Sequence, residues 1–218
     1  MKISKHIHSC VLVEENNERI LIDPGPFSFN EKLVNPDEFT GINAILITHK
    51  HGDHYDVGAI ERILENNPSA KVFANQVMIE EFERAGIKGE VFENGAKKIG
   101  QFSISAFPAE HEPLPFPTPP NTAFLINDVF LHPGDSFAKT LFTTSAKILA
   151  LPVAAPWLNI IDSLDFVSRY KPNAVIPIHD GHIKDFFTEG QYKNWDKLLN
   201  SKNIKFHPLQ KPRNNIVI

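Results

Sequence analysis

The chain is poor in several things, and each shortage narrows what it can be. It has one cysteine, Cys10, in 218 residues. No internal disulfide can form, and a lone thiol fits a reducing compartment. Cys10 lies in Cys-Val-Leu-Val and reads as a small core residue. Basic charge is not in surplus: 22 Lys and Arg face 26 Asp and Glu, for a net charge of −4. That balance speaks against a nucleic-acid partner, whose binders present a basic face. No stretch approaches the ~20 consecutive apolar residues of a membrane span. Met1 to His6 lacks the apolar run of a signal peptide. The expectation is a soluble, cytoplasmic protein with no membrane partner. Low-complexity tracts and linkers are missing as well, so one domain over residues 1–218 is expected.

What is present is an ordinary globular balance, 42% hydrophobic and 22% charged. A chain of this length buries a sizeable core without staples. Apolar runs at Ile7–Val13 and Arg19–Ile22 flank a polar turn and predict a hairpin, stopped by Asp23-Pro24-Gly25-Pro26. Ile42–Thr48 reads as a strand buried on both faces. Val57, Ile60, Ile63 and Leu64 recur at helical spacing behind a candidate N-cap, Asp56. A strand at Lys71–Ala74 and a helix over 75–85 follow. Strands are expected at Glu90–Phe92, Phe102–Phe107, Thr122–Ile126, Val129–His132, Ile148–Pro152, Ala174–Ile178 and Ile204–Phe206. Helices are expected over 160–170 and 191–201. The alternation places the chain in the α/β class, with a coarse two-part rhythm of strands first and helices later.

The densest chemistry is at Thr48-His49-Lys50-His51-Gly52-Asp53-His54. Three histidines and an aspartate lie within six positions, directly after a buried strand and before a helix. Neutral imidazole and carboxylate are the borderline ligands of Zn²⁺, Mn²⁺ and Fe²⁺. Three further residues of the same chemistry each follow a strand: His111, Asp135 and His179. Strand ends on one edge of a sheet converge, which is where α/β proteins gather functional groups. Together these side chains exceed the needs of one tetrahedral ion. They suit two ions that share a bridging carboxylate. Asp23, behind its strand, either braces a neighbouring loop or serves as a turn residue.

The same residues resemble the motif series of the metallo-β-lactamase superfamily. Thr48 to His54 looks like its signature loop. Asp23 in Leu-Ile-Asp-Pro-Gly, His111, Asp135 in Pro-Gly-Asp-Ser and His179 in Ile-Pro-Ile-His appear in the family's order, so the likeness spans residues 7–182. It implies a four-layer αββα sandwich of two mixed sheets flanked by helices. It implies that His49, His51 and His111 hold a first metal, that Asp53, His54 and His179 hold a second, and that Asp135 bridges them. It makes Asp23 a support of the ligand loop. The compact size and the Pro-Ile-His ending look most like the ascorbate-6-phosphate lactonase-like branch.

The expected activity is hydrolysis of a small ester, lactone or phosphodiester by a hydroxide activated between two divalent metal ions, zinc first and manganese second. Asp53 would also orient the nucleophile. His182, three residues after His179, has no ligand role in the family and is a candidate proton carrier or substrate contact. Trp157 is a candidate wall of the substrate pocket, with core packing as the alternative. The proline-rich run 113–120 reads either as a stiff connector or as a second wall. His6, His8, His132 and His207 are read as structural or surface residues. The rival activity is an iron-dependent oxidoreductase on the same fold. The complete second ligand set and the histidine at position 51 count against it. A structural zinc protein would close its site with four ligands, often cysteines. Homo-oligomerisation is left open.

Overall fold

The structure, a computed structural model, describes residues 1–218 apart from the side chain of Glu31. Short apolar runs pair into two seven-stranded sheets. The first holds β1 (Lys2–Lys5), β2 (Val11–Glu15), β3 (Glu18–Ile22), β4 (Ala44–Leu46), β5 (Lys71–Ala74) and β6 (Glu90–Val91), with β14 (Asn214–Val217) beside β1. The second holds β7 (Gly95–Ile99), β8 (Phe102–Pro108), β9 (Thr122–Ile126), β10 (Phe130–His132), β11 (Ile148–Pro152), β12 (Ala174–Ile178) and β13 (Lys205–Phe206). In the first sheet β14 to β3 pair antiparallel and β3 to β6 parallel. The second repeats the scheme, with β7 to β10 antiparallel and β10 to β13 parallel. Both sheets are mixed, and the two-part rhythm of the sequence is this duplication.

Side-chain alternation decides the layers. In β3 and β4, Ile20, Ile22, Ala44 and Leu46 point inward and meet Ile104, Phe124 and Ile126 of the second sheet. Their neighbours Leu21 and Ile45 point outward, under Ile60 and Ile63 of α2 (Val57–Asn66) and Met78 and Phe82 of α3 (Gln76–Arg84). On the other side Leu149, Leu151 and Val175 lie beneath Phe166 and Val167 of α4 (Ile160–Tyr170) and Trp195 and Leu199 of α5 (Asp185–Asn200). The result is the four-layer αββα sandwich. Each of these large side chains contributes roughly 1.5–3 kcal/mol by leaving water. Helices α2 and α3 start where a short polar side chain takes up free backbone N–H groups. Ala59 N–H donates to Asp56 (2.9 Å), and Met78 N–H donates to Asn75 (3.0 Å).

The structure departs from the sequence reading at a few elements. Ile7–Val13 is not one strand. Lys2–Lys5 forms β1, and residues 6–10 form the turn that leads into β2. The alternation of Ile7, Val11 and Val13 hides this turn. Ile7 and His8 adopt φ of 89° and 55°, outside the strand region. A β-branched residue at positive φ is a genuine outlier, and such strain persists only where surroundings over-determine it. Here His6 N–H donates to Cys10 O (2.8 Å) and Cys10 N–H to Ile7 O (3.1 Å). β4 is shorter than the run 42–48, because the chain turns into the histidine loop. β7 and β14 complete the sheet edges where no strand was expected. The last helix begins at Asp185 instead of 191, and its early exposed Phe186 and Phe187 mask the helical period.

Candidate metal centre

Five loops leave the sandwich on one edge: after β3 (Asp23), β4 (His49 to His54), β8 (His111), β10 (Asp135) and β12 (His179). Asp23 stops β3 with φ of 47° and is fully buried. The following Gly25 has no side chain because the backbone carbonyl of Asp53 packs where a Cβ would stand. The Asp-Pro-Gly stop is thus shaped by contact with the histidine loop, beyond its role as a breaker.

The candidate ligands gather into two adjacent groups. His49, His51, His111 and Asp135 each bring one donor atom, and all four atoms lie within 4.8 Å of one another. Asp53, His54 and His179 form the second group on the same criterion, joined by His8. Asp135 stands between them. Its Oδ2 is 3.5 Å from His111 Nε2 and 3.0 Å from His179 Nε2, and its Oδ1 is 3.2 Å from His54 Nε2. His8 corrects the sequence reading, which left it among structural or surface histidines. The turn at 6–10 carries its ring into the second group, 3.1 Å from Asp53 Oδ2. Only the recognition of that turn could have signalled this, since a lone histidine in an apparent strand has no motif.

The outer partners of the rings fix which nitrogen faces the centre. His54 Nδ1–H donates to Asp23 Oδ2 (2.7 Å), His179 Nδ1–H to Ala154 O (2.7 Å) and His111 Nδ1–H to Glu112 O (2.6 Å). Thr48 Oγ1–H donates to Asp23 Oδ2 (2.7 Å), so it accepts from His49 Nδ1–H (3.0 Å). All four rings therefore aim an Nε2 lone pair inward. His49 Nε2 and His111 Nε2 each face His51 Nδ1 at 3.1 Å. With the His51 proton on Nε2, three lone pairs converge here and a cation between them satisfies all three. His54 Nε2, His179 Nε2 and Asp135 Oδ1 are buried without a hydrogen-bond partner, an arrangement costly for polar groups unless a cation satisfies them. The donor set fits a divalent cation of the borderline class.

Where no cation is bound, ring protons take its place at two of these nitrogens. Burial disfavours charge on these imidazoles, and at His49 and His51 it prevails, holding both below the ordinary histidine value. At His54 burial is outweighed by the Asp135 and Asp23 carboxylates, which hold the ring well above that value. At His179 burial is again overcome, chiefly by Asp135, and the ring is pushed up to about 9. Burial would raise the carboxyls of Asp135 and Asp53, yet the facing imidazoles hold both well below the carboxylate range. The carboxylates thus favour positive charge beside His54 and His179, whereas burial disfavours a ring proton at His49 and His51.

Several residues that sequence reasoning passed over set the frame. Asn121 Nδ2 donates to Ala109 O (3.0 Å) and Pro133 O (2.9 Å), and its Oδ1 accepts from Asp135 N–H (3.2 Å). One amide thus ties the His111 loop to the Asp135 loop. Asn75 Nδ2 joins Thr48 O (3.2 Å) to Pro120 O (2.9 Å). Buried asparagines carry no motif in the sequence. Trp157 donates from Nε1 to Asp135 Oδ2 (3.2 Å), with its ring 6.0 Å from His111 and 5.7 Å from His179. His182 is exposed, with its ring 6.0 Å from both His8 and His179. A cavity of about 890 Å³ opens beside His111, with Thr118, Pro119 and Pro120 of the proline-rich run on one side and Phe137 on the other. A second, of about 650 Å³, lies beside Gly181 and His182. Trp157 is not among the residues lining either and stands over the ligand groups instead.

Fold and centre together define an αββα protein built to hold cations at the shared edge of its sheets. The Beta-lactamase superfamily domain matches residues 2–179. Protein Rv0786c of Mycobacterium tuberculosis is 32% identical over 196 residues, covering 84% of this chain and 85% of that protein. A UPF0173 metal-dependent hydrolase of Carboxydothermus hydrogenoformans is 27% identical over 195 residues, 82% of this chain and 84% of its own. Among solved structures, the metallo hydrolase Igni18 of Ignicoccus hospitalis matches with a TM-score of 0.73 at 21% identity, over 99% of this chain and 97% of its own. The chain belongs to the β-lactamase superfamily, as a metal-dependent hydrolase of the metallo-β-lactamase fold. No helix among the described residues is long and apolar enough to cross a membrane.

Proposed function

We propose that the chain, acting as one unit, hydrolyses a small ester, lactone or phosphodiester at a centre of two divalent cations, zinc or manganese. The observation that carries this reading is the set of inward lone pairs and partnerless buried atoms around Asp135. His49, His51 and His111 would hold one cation, Asp53, His54 and His179 the other, with Asp135 between them. Bound there, the cations would supply Lewis acidity and bring the deprotonation of water into the neutral range. The chain's own groups do the rest. The Asp53 side chain is 30% exposed and faces the open side, where it orients the attacking water. His182, at the rim of the second group, passes a proton to the leaving oxygen. Trp157 fixes Asp135 and stands over the ligand groups, where it would cover the reacting end of the substrate. The cavity beside His111 is of small-molecule size. The reading includes the lactonase-like placement, which makes a lactone the first substrate to try, and a reducing cytoplasmic setting, which the buried thiol Cys10 fits.

The test is metal analysis of protein purified without added metal, followed by a panel of lactones, esters, thioesters, phosphodiesters and β-lactams. Roughly two Zn or Mn per chain, with turnover on one class, is the expected result. His51→Ala and Asp135→Ala should lose metal and turnover together. A single iron per chain with oxidative turnover, or unchanged metal content in both variants, would refute the proposal.

A further inference from the structure

We infer that His8 is a positioning residue of the second ligand group, which donates a hydrogen bond to Asp53 and so aims the carboxylate at its cation. The inference rests on the two-cation reading above. His8 has a nitrogen within ligand distance of Asp53, His54 and His179, so proximity alone would make it a fourth ligand. Its hydrogen bonds say otherwise. Gly181 N–H donates to His8 Nδ1 (3.0 Å), so that nitrogen presents its lone pair outward. The proton of the neutral ring then lies on Nε2, 3.1 Å from Asp53 Oδ2. This is the opposite of His49, His54, His111 and His179, whose protons face outward. A nitrogen that carries a proton inward cannot ligate. It can hold Asp53 Oδ2, the oxygen that lies 3.3 Å from His179 Nε2 and 3.8 Å from His54 Nε2, and so fix the direction in which the carboxylate meets its cation.

The surroundings hold His8 to this role. Its ring is buried and packs at a tilt against the rings of His179 (4.2 Å) and Phe27 (4.6 Å). Its backbone, at φ 55°, follows Ile7 at φ 89°, so the turn keeps a strained path to bring the ring there. Gly181 is packed so closely that an added Cβ would lie 2.9 Å from His8 Cβ and 3.0 Å from Phe27 Cβ. The residue before it is pinned in turn: Lys5 Nζ donates to Asp180 Oδ1 (2.6 Å), and Tyr192 Oη–H bonds the same carboxylate. The turn between β1 and β2 thus delivers a support to a metal ligand, braced from the end of β12 in the other sheet. His8 touches Asp53 of the second group and makes no hydrogen bond to the first.

The test is zinc titration of the intact protein against a chromogenic chelator, compared across His8→Phe, His8→Gln and Gly181→Ala. In His8→Phe the affinity of one cation should fall 10–100-fold while the other stays as in the wild type. His8→Gln keeps an N–H donor and should recover part of the loss. It also keeps the test usable if the phenylalanine variant fails to fold. Gly181→Ala displaces His8 without removing it and should resemble His8→Phe. Wild-type affinity at both cations in His8→Phe, or equal weakening of both in all three variants, would overturn this inference alone. A wild-type protein that binds a single cation would overturn the two-cation reading and this inference with it.

Discussion

Replacing Asp23 with asparagine should disturb both ligand groups through atoms that touch no metal. Asp23 is fully buried and accepts three hydrogen bonds. Its Oδ1 takes Thr48 N–H (2.8 Å), and its Oδ2 takes Thr48 Oγ1–H and His54 Nδ1–H (both 2.7 Å). Asp23→Asn keeps the shape and the first bond. At the second position an amide with two protons replaces an acceptor. His54 Nδ1 then faces a donor and must accept, which moves the ring proton to Nε2, toward the centre. Thr48 Oγ1 loses its acceptor as well, and its hydroxyl turns to His49 Nδ1, 3.0 Å away, with the same consequence for His49. Loss of such an outer partner costs about 10–100-fold in metal affinity, roughly 1.4–2.8 kcal/mol for each cation. Folding should suffer by a similar amount, on the order of 1–3 kcal/mol, because charge-assisted bonds become neutral ones without a cavity opening. The assay is the chelator competition, read with imidazole ¹⁵N shifts that report the tautomer of each ring. The expected signature is weakening of both cations, which separates Asp23 from His8. Wild-type affinities in Asp23→Asn, or rings that keep their Nδ1 protons, would refute the tautomer argument.

Two further perturbations probe the frame. Lys5→Met strands the buried Asp180 carboxylate, whose remaining partner is the Tyr192 hydroxyl, and should cost about 3–5 kcal/mol in urea unfolding. The double variant Lys5→Met/Asp180→Asn should recover most of that loss, and a Lys5→Met protein as stable as the wild type would contradict the role of the pair. His6 is buried with both ring nitrogens unpartnered, and burial, reinforced by the Arg213 charge, pushes it down to about 4. The unfolded chain takes up the proton near pH 6.5 and the folded one does not. Stability present above pH 6.5 should therefore fall as the pH drops to about 4, by roughly 3 kcal/mol. Urea titrations of wild type and His6→Asn across that window check it, and parallel pH profiles would refute it.

The ligand loop was legible because its chemistry is local. Three histidines and an aspartate in six positions, behind an apolar strand and ahead of an N-capped helix, need no tertiary contact to be recognised. The same is true of Thr122–Ile126, Ile148–Pro152, Ala174–Ile178 and the helix over 160–170, whose patterns reach the structure unchanged. Their periods match the faces they bury, and turn residues bound them. The mixed αββα architecture followed from the family likeness and the alternation of elements.

What the sequence by itself determined is the ligand chemistry and the strands that end in it. What only the tertiary structure decided is how those groups are held. His8 enters the centre because Ile7 and His8 leave the strand region, a local cost that sequence periodicity cannot reveal. Asn75 and Asn121 join loops that lie far apart in the chain. The inward lone pairs depend on acceptors such as Ala154 O and Glu112 O, which are backbone atoms and leave no trace in residue identity. Side-chain chemistry is written residue by residue. The proton positions that direct it are set by contacts across both sheets, and these exist only once the chain has folded.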